Sequence, residues 1–187
     1  LDISSINPDI YIGTCHKWLC TPKGSAFMYV KSDIQKLIEP LIIGWGWNTD
    51  FGSGLSPFIN NHEWWGTNDI SSYLCIPKAI DFISSKKVEE MKKNCRKMVI
   101  DVRESINDIT NQTPICPDYM IAQLASMVLP IKNPIEFKAH LLDKYNIEIP
   151  IWTWNNINFI RVSVQIYNTQ EDLDTLISAL KYIINNK

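Results

Sequence analysis

Between positions 88 and 109 apolar residues return every three or four places: Val88, Met91, Cys95, Met98, Val102, Ile106 and Ile109. The residues between them are mostly Lys, Glu, Arg and Asn, so this segment is one long amphipathic helix with a single face to bury. Such a helix needs a second layer to cover that face, and the rest of the chain supplies it by alternating strand and helix. Residues 119–129 read as a strand closed by Pro130, and Asn133–Pro134 opens a helix to about Tyr145. Residues 147–152 and 158–165 are two further strands. Thr169 and Asp172 stand in capping-box spacing before a last helix, whose apolar face is Leu173, Leu176, Ile177, Leu180 and Ile184. Strand, helix, strand, strand and helix behind one long helix predict a compact α+β domain.

Upstream of the long helix the pattern differs. Ile76, Ala79, Ile80 and Ile83 form a shorter helical stripe, with Pro77 suited to a first turn. Residues 44–65 gather Gly44, Gly46, Gly52 and Gly54 with Trp45, Trp47, Trp64 and Trp65, and show no period. A loop of this length is uncommon unless it packs on its own rings or serves a ligand or a partner, with glycines as hinges. Residues 10–12 and 26–30 read as buried strands, and a short helix is expected at 32–39 before Pro40.

Composition narrows the function classes. A net charge of -2 gives no electrostatic footprint for nucleic acid or an anionic membrane surface. No apolar run nears the roughly 20 residues of a membrane span. The cysteines at 15, 20, 75, 95 and 116 lack disulfide-framework or zinc spacing, so buried free thiols and a cytoplasmic location are expected. Leu1 rather than Met opens the sequence, which is expected to begin inside a longer protein.

Three places carry candidate chemistry. In Thr14-Cys15-His16-Lys17-Trp18, between the two N-terminal strands, an amine kept dry beside a carbonyl would act as a nucleophile or base; a solvated turn lysine fits the same spacing. Trp65-Gly66-Thr67-Asn68-Asp69 offers backbone N–H groups and a hydroxyl before a helix, which suits an anion or a plain N-cap. On the strand around Arg161, Phe159, Arg161, Ser163 and Gln165 share one face, where the guanidinium is either solvated or set to grip a carboxylate. His62 and His140 show no ligand spacing.

The His16-Lys17-Trp18 block, followed by Pro22-Lys23-Gly24-Ser25-Ala26-Phe27, resembles the cofactor-lysine segment of class V aminotransferase-like enzymes. Trp65-Gly66-Thr67-Asn68-Asp69 and Ile160-Arg161-Val162-Ser163-Val164-Gln165-Ile166-Tyr167-Asn168 fit the same family in the right order. These are pyridoxal 5'-phosphate proteins of fold type I, and the likeness is greatest to the isopenicillin N epimerase-like branch. The resemblance implies an α/β chain forming the C-terminal part of a PLP-dependent transferase fold. Residues 1–68 would end the large cofactor domain, with the active-site and dimer loop, and residues 69–187 would form the small α+β domain.

Lys17 would bind pyridoxal phosphate covalently and move the α-proton of an amino-acid substrate, with Thr14 and His16 beside the phosphate. Gly66 and Thr67 would reach the phosphate of the neighbouring subunit in a homodimer, and Arg161 would bind the substrate α-carboxylate. Epimerisation, transamination and carbon–sulfur lysis share these first steps. No cysteine stands between Ile131 and Arg161, and Cys116 sits between Ile115 and Pro117, which ranks desulfurase chemistry below epimerase-like or lyase chemistry. The acid that pairs with the cofactor ring nitrogen precedes the lysine block in this family. Here Asp2 and Asp9 are the acids before Lys17 and neither matches, so a non-catalytic remnant and a carboxylate-binding module are the contrasting expectations.

Overall fold

A computed structural model describes residues 2–49 and 54–185, which leaves Gly52 outside the described residues. The chain divides into two compact units, residues 1–84 and 85–187. Residues 69–84 thus group with the first unit, although the helical period begins there.

The first unit opens with α1 (Ile3–Ile6). Asp2 caps it, accepting from the Ser4 backbone N–H at 3.0 Å and from the Ser4 and Ser5 hydroxyls at 2.8 and 2.6 Å. These donors, the Ser5 hydroxyl foremost, lower the Asp2 carboxyl to about 2. β1 (Ile10–Thr14) and β2 (Ala26–Val30) pair antiparallel, Ile10 opposite Val30 and Thr14 opposite Ala26.

The expectation of buried strands fails here. Of these two strands only Val30 is buried, while Ile10, Ile12, Phe27, Met28 and Tyr29 are exposed. Two strands alone have no third layer to close over either face.

The helix expected at 32–39 is a single 3-10 turn, Gln35–Leu37. Helix nucleation is costly, and so few residues before Pro40 cannot offset it. Within the aromatic loop lies α2 (Pro57–Glu63), capped by the Ser56 hydroxyl accepting from Ile59 N–H at 3.3 Å. Gly44 and Gly46 are places of close backbone approach rather than hinges. A Cβ on Gly46 would stand 1.8 Å from the Asn60 carbonyl oxygen, and one on Gly44 2.4 Å from Trp65 Cα. The unit ends in α3 (Ser71–Leu74) and α4 (Ile76–Ile83). Of the expected α4 stripe, Ala79 is buried and Ile80 is exposed.

The second unit is built on α5 (Lys86–Thr110), started by a Ser85 cap and stopped by Asn111 in the left-handed region at φ 51°. Its three-stranded antiparallel sheet has the order β3 (Leu124–Val128), β5 (Ile157–Ser163), β4 (Ile151–Trp154). β3 starts later than expected because Asp118–Met120 forms a 3-10 turn. Arg96 of α5 holds that turn, donating to the Asp118 and Ile121 carbonyls at 2.9 Å each. β4 runs on to Trp154 because Asn155 and Asn156, at φ 48° and 61°, make the tight turn into β5. Both positive φ values match the hairpin turn whose twist suits its flanking strands.

One face of this sheet packs on α5, α6 (Pro134–Tyr145) and α7 (Gln170–Asn185). Ile106, Met127, Leu129, Leu141, Ile160, Val164 and Leu180 are fully buried there. Burial also pushes the Cys95 thiol up.

The capping box at α7 forms as expected. Thr169 N–H donates to Asp172 Oδ2 at 2.8 Å, and Asp172 N–H donates to Thr169 Oγ1 at 3.3 Å. The Thr169 backbone donor holds the Asp172 carboxyl below its ordinary value. A lowered carboxylate pKa contributes stability that is present above the unfolded value near 3.8 and fades as pH falls through the lower folded value. Thr169→Ala is expected to cost about 1 kcal/mol. Asp172→Asn should remove the acid-side loss at α7, read by amide exchange in its first turn between pH 5 and pH 2. Unchanged acid sensitivity in Asp172→Asn would refute this.

Candidate functional site

In the first unit the chain from Thr14 to Ala26 closes the β1–β2 ribbon, and its floor is polar and buried. Cys15, Thr21 and Ser25 are buried, the Thr21 and Ser25 hydroxyls lie 2.9 Å apart, and Cys15 N–H donates to the Ser25 carbonyl at 3.0 Å. Thr21 N–H returns to the Cys15 carbonyl at 3.2 Å. These bonds fix the loop around His16 and Lys17. His16 is half-buried, and its Nδ1 is buried with no hydrogen-bond partner among the described residues. Lys17 and Thr14 are exposed, so the β1–β2 ribbon does not provide the burial expected around the lysine amine. The same loop holds Cys20, an exposed thiol and an exception to the expected buried set; Cys15 and Cys95 are buried, and all five cysteines are free.

Gly66 and Thr67 lie between α2 and α3, Gly66 at φ +129°. The lysine loop approaches α3, since a Cβ on Gly24 would stand 3.4 Å from Ser72 Oγ. The first N–H of α3 is already taken, because Ser71 N–H donates to Asp69 Oδ1 at 2.8 Å and lowers the Asp69 carboxyl. Asp69 is not itself the N-cap expected of this block: that position is Ile70, which makes no side-chain cap, and Asp69 accepts from one residue further back.

Arg161 sits in the second unit on the central strand β5, directly opposite Ser126 of β3. It is exposed, on the sheet face away from the helices, and its neighbours on that face include Ser163. The same face carries an aromatic group that single-strand periodicity does not reveal. Trp152 lies opposite Phe159 with ring centroids 5.6 Å apart and planes at 22°, and Trp154 stands 6.5 Å from the same ring. The alternation Trp152-Thr153-Trp154 before Asn155-Asn156 was the available signal.

Cavities of about 390 and 440 Å³ open in the first unit beside Trp47 and Phe58 and in the second beside Phe137 and His140. None of Thr14, His16, Lys17, Gly66, Thr67 or Arg161 lines either. Among the described residues no cluster of His, Cys, Asp and Glu is placed to hold a metal ion. No helix among them is long and apolar enough to cross a membrane.

The two units together have the mixed α/β fold of about half of a PLP-dependent transferase chain. The model of the class-V aminotransferase family matches residues 1–176, and the chain belongs to that family. It is 28% identical to an isopenicillin N epimerase of Amycolatopsis lactamdurans, over 97% of this chain and 48% of that protein. It is 24% identical to a probable chloroplastic L-cysteine desulfhydrase of Arabidopsis thaliana, over 100% of this chain and 42% of that one. Among solved structures, an apo cysteine desulfurase from Thermococcus onnurineus NA1 superposes with a TM-score of 0.76 at 18% identity, over 99% of this chain and 49% of the other. The chain spans about half the length of the curated relatives it matches.

Proposed function

We propose that this chain carries the cofactor lysine and the carboxylate-binding arginine of a pyridoxal-phosphate enzyme acting at the α carbon of an amino acid. One observation carries the reading: beside the exposed Lys17 amine stands an imidazole whose buried Nδ1 lacks a partner, on a loop held by buried bonds. A cation, an imidazole and the Thr14 hydroxyl suit a ligand with an aldehyde at one end and a phosphate at the other. The ring nitrogen finds no acid in this segment, because Asp2 caps α1 and Asp9 pairs with Lys31 at 3.0 Å.

When bound, pyridoxal phosphate supplies an aldehyde for a lysine amine and a ring that accepts the electron pair left by a departing α-proton. Lys17 Nζ holds the aldehyde end at rest and afterwards carries the α-proton. Thr14 and His16 donate to the phosphate. Arg161 fixes the substrate by a two-pronged grip on its α-carboxylate. Gly66 and Thr67 complete the phosphate site of a second copy, which makes a cytoplasmic homodimer the active unit. In this reading residues 1–68 act with the cofactor domain and residues 69–187 as the small domain.

Epimerase-like chemistry is the first reading, in line with the name of the Amycolatopsis relative. Carbon–sulfur lysis without a thiol carrier is the second, in line with the Arabidopsis desulfhydrase. It is favoured over desulfurase chemistry by the placement of Cys116, whose carbonyl accepts from Arg103 Nη1 at 3.2 Å in a pinned loop of the second unit.

Incubation with pyridoxal phosphate, reduction with borohydride and peptide mass spectrometry test the proposal. The reduced label is expected on Lys17 and absent in Lys17→Ala. Label spread evenly over Lys23 and other exposed lysines, or none at all, would overturn it.

A further inference from the structure

The sheet face around Arg161 is built for more than a carboxylate. Phe159 lies two residues along β5 from Arg161, so the two side chains leave the same face about 7 Å apart. Phe159 is buried, and what covers it is the pair of indoles from β4, Trp152 stacked and Trp154 tilted. Trp152 and Trp154 are themselves 36% and 64% exposed, so the outer surface of this aromatic slab is open. On the other side of Arg161 the face changes character to the hydroxyls of Ser126 and Ser163. The site therefore has a cation among small hydroxyls and, one residue pair away, a flat apolar wall.

The wall is rigid. Asn155 and Asn156 turn β4 tightly into β5, and on the opposite face Thr153 Oγ1 donates to Asn158 Oδ1 at 2.6 Å across the two strands. Indoles held this way bring contact area at small entropic cost.

We infer that the Trp152–Phe159 slab receives the side chain of the amino acid whose α-carboxylate Arg161 binds, which selects substrates with an aromatic or similarly flat apolar side chain. The charge complementarity comes from Arg161 and the spacing from the strand. A ligand with a carboxylate at one end and a ring a few bonds away spans both, whereas alanine reaches only the cation. This rests on the proposed carboxylate role of Arg161 and is independent of Lys17 chemistry.

The full 187-residue chain is titrated with L-phenylalanine, L-alanine and phenethylamine while the indole N–H resonances are followed by NMR. L-phenylalanine is expected to bind about tenfold tighter than L-alanine and to shift the Trp152 indole signal. Phenethylamine, which lacks the carboxylate, should lose at least about tenfold, as should L-phenylalanine against Arg161→Gln. Trp152→Ala should bring phenylalanine to within about twofold of alanine, and Trp152→Phe should restore the preference, which separates lost stacking from lost folding. Equal affinity for phenylalanine and alanine with carboxylate dependence intact overturns the aromatic assignment and leaves Arg161 in its role. Binding that ignores both Trp152 and Arg161, or no phenylalanine binding at millimolar concentration, overturns the inference. Labelling of Lys17 is unaffected by either result and reports separately on the cofactor reading.

Discussion

Gly46→Ala is expected to destabilise the first unit by about 3 kcal/mol or more. The added methyl carbon would lie 1.8 Å from the Asn60 carbonyl oxygen and 2.6 Å from its carbon, and both are backbone atoms that no rotamer change can move. Gly46 N–H also donates to the Trp64 carbonyl at 2.8 Å, so any shift that relieves the clash breaks the bond joining this loop to the end of α2. Gly54→Ala provides the contrast. Gly54 has φ +71° but nothing among the described residues within 4 Å of its Cβ position, so its expected cost is the left-handed backbone, about 1 kcal/mol. Hydrogen exchange at the Gly46 and Asn60 amides distinguishes the two, since separate units make a single unfolding midpoint a poor measure. Equal effects at the two glycines would contradict the close-approach role.

Asp118→Ala is expected to cost the second unit about 3 kcal/mol, more than Arg103→Met at about 1 kcal/mol. Asp118 is nevertheless the more exposed partner, its side chain 57% accessible against 4% for Arg103. The asymmetry follows from solvation. Without Asp118 the guanidinium remains buried, with Nη1 on the Cys116 carbonyl and Nε unpaired. Without Arg103 the carboxylate is simply hydrated, and methionine refills the apolar volume. Urea unfolding monitored by helix signal from α5 and α7 measures both variants. A larger loss in Arg103→Met would show that the arginine acts by packing rather than as a charge that must be matched.

Much of the candidate site was legible along the chain because its residues lie in short local blocks. Lys17 and His16 belong to one loop, and the face shared by Phe159, Arg161 and Ser163 follows from strand parity alone. The amphipathic stripe of α5 and the Thr169–Asp172 box were readable for the same reason, since both depend on residues three or four positions apart. The aromatic wall was not. Trp152 meets Phe159 only through the register of β4 on β5, which the Asn155–Asn156 turn sets. Arg103 and Asp118 are joined by the path of the loop after α5, and no period in the sequence carries that information.

The sequence alone determined the order of the main elements in the second unit, the apolar faces of its long helices and the local blocks in which Lys17 and Arg161 stand. All of these arise from steric and capping preferences within a few residues. Tertiary structure decided which apolar segments are covered. Ile160 and Val164 are closed in by three helices, whereas Ile12 and Phe27, equally apolar, remain open on a two-stranded ribbon. Burial depends on whether a second layer arrives, and a strand's own residues specify only the face it would cover.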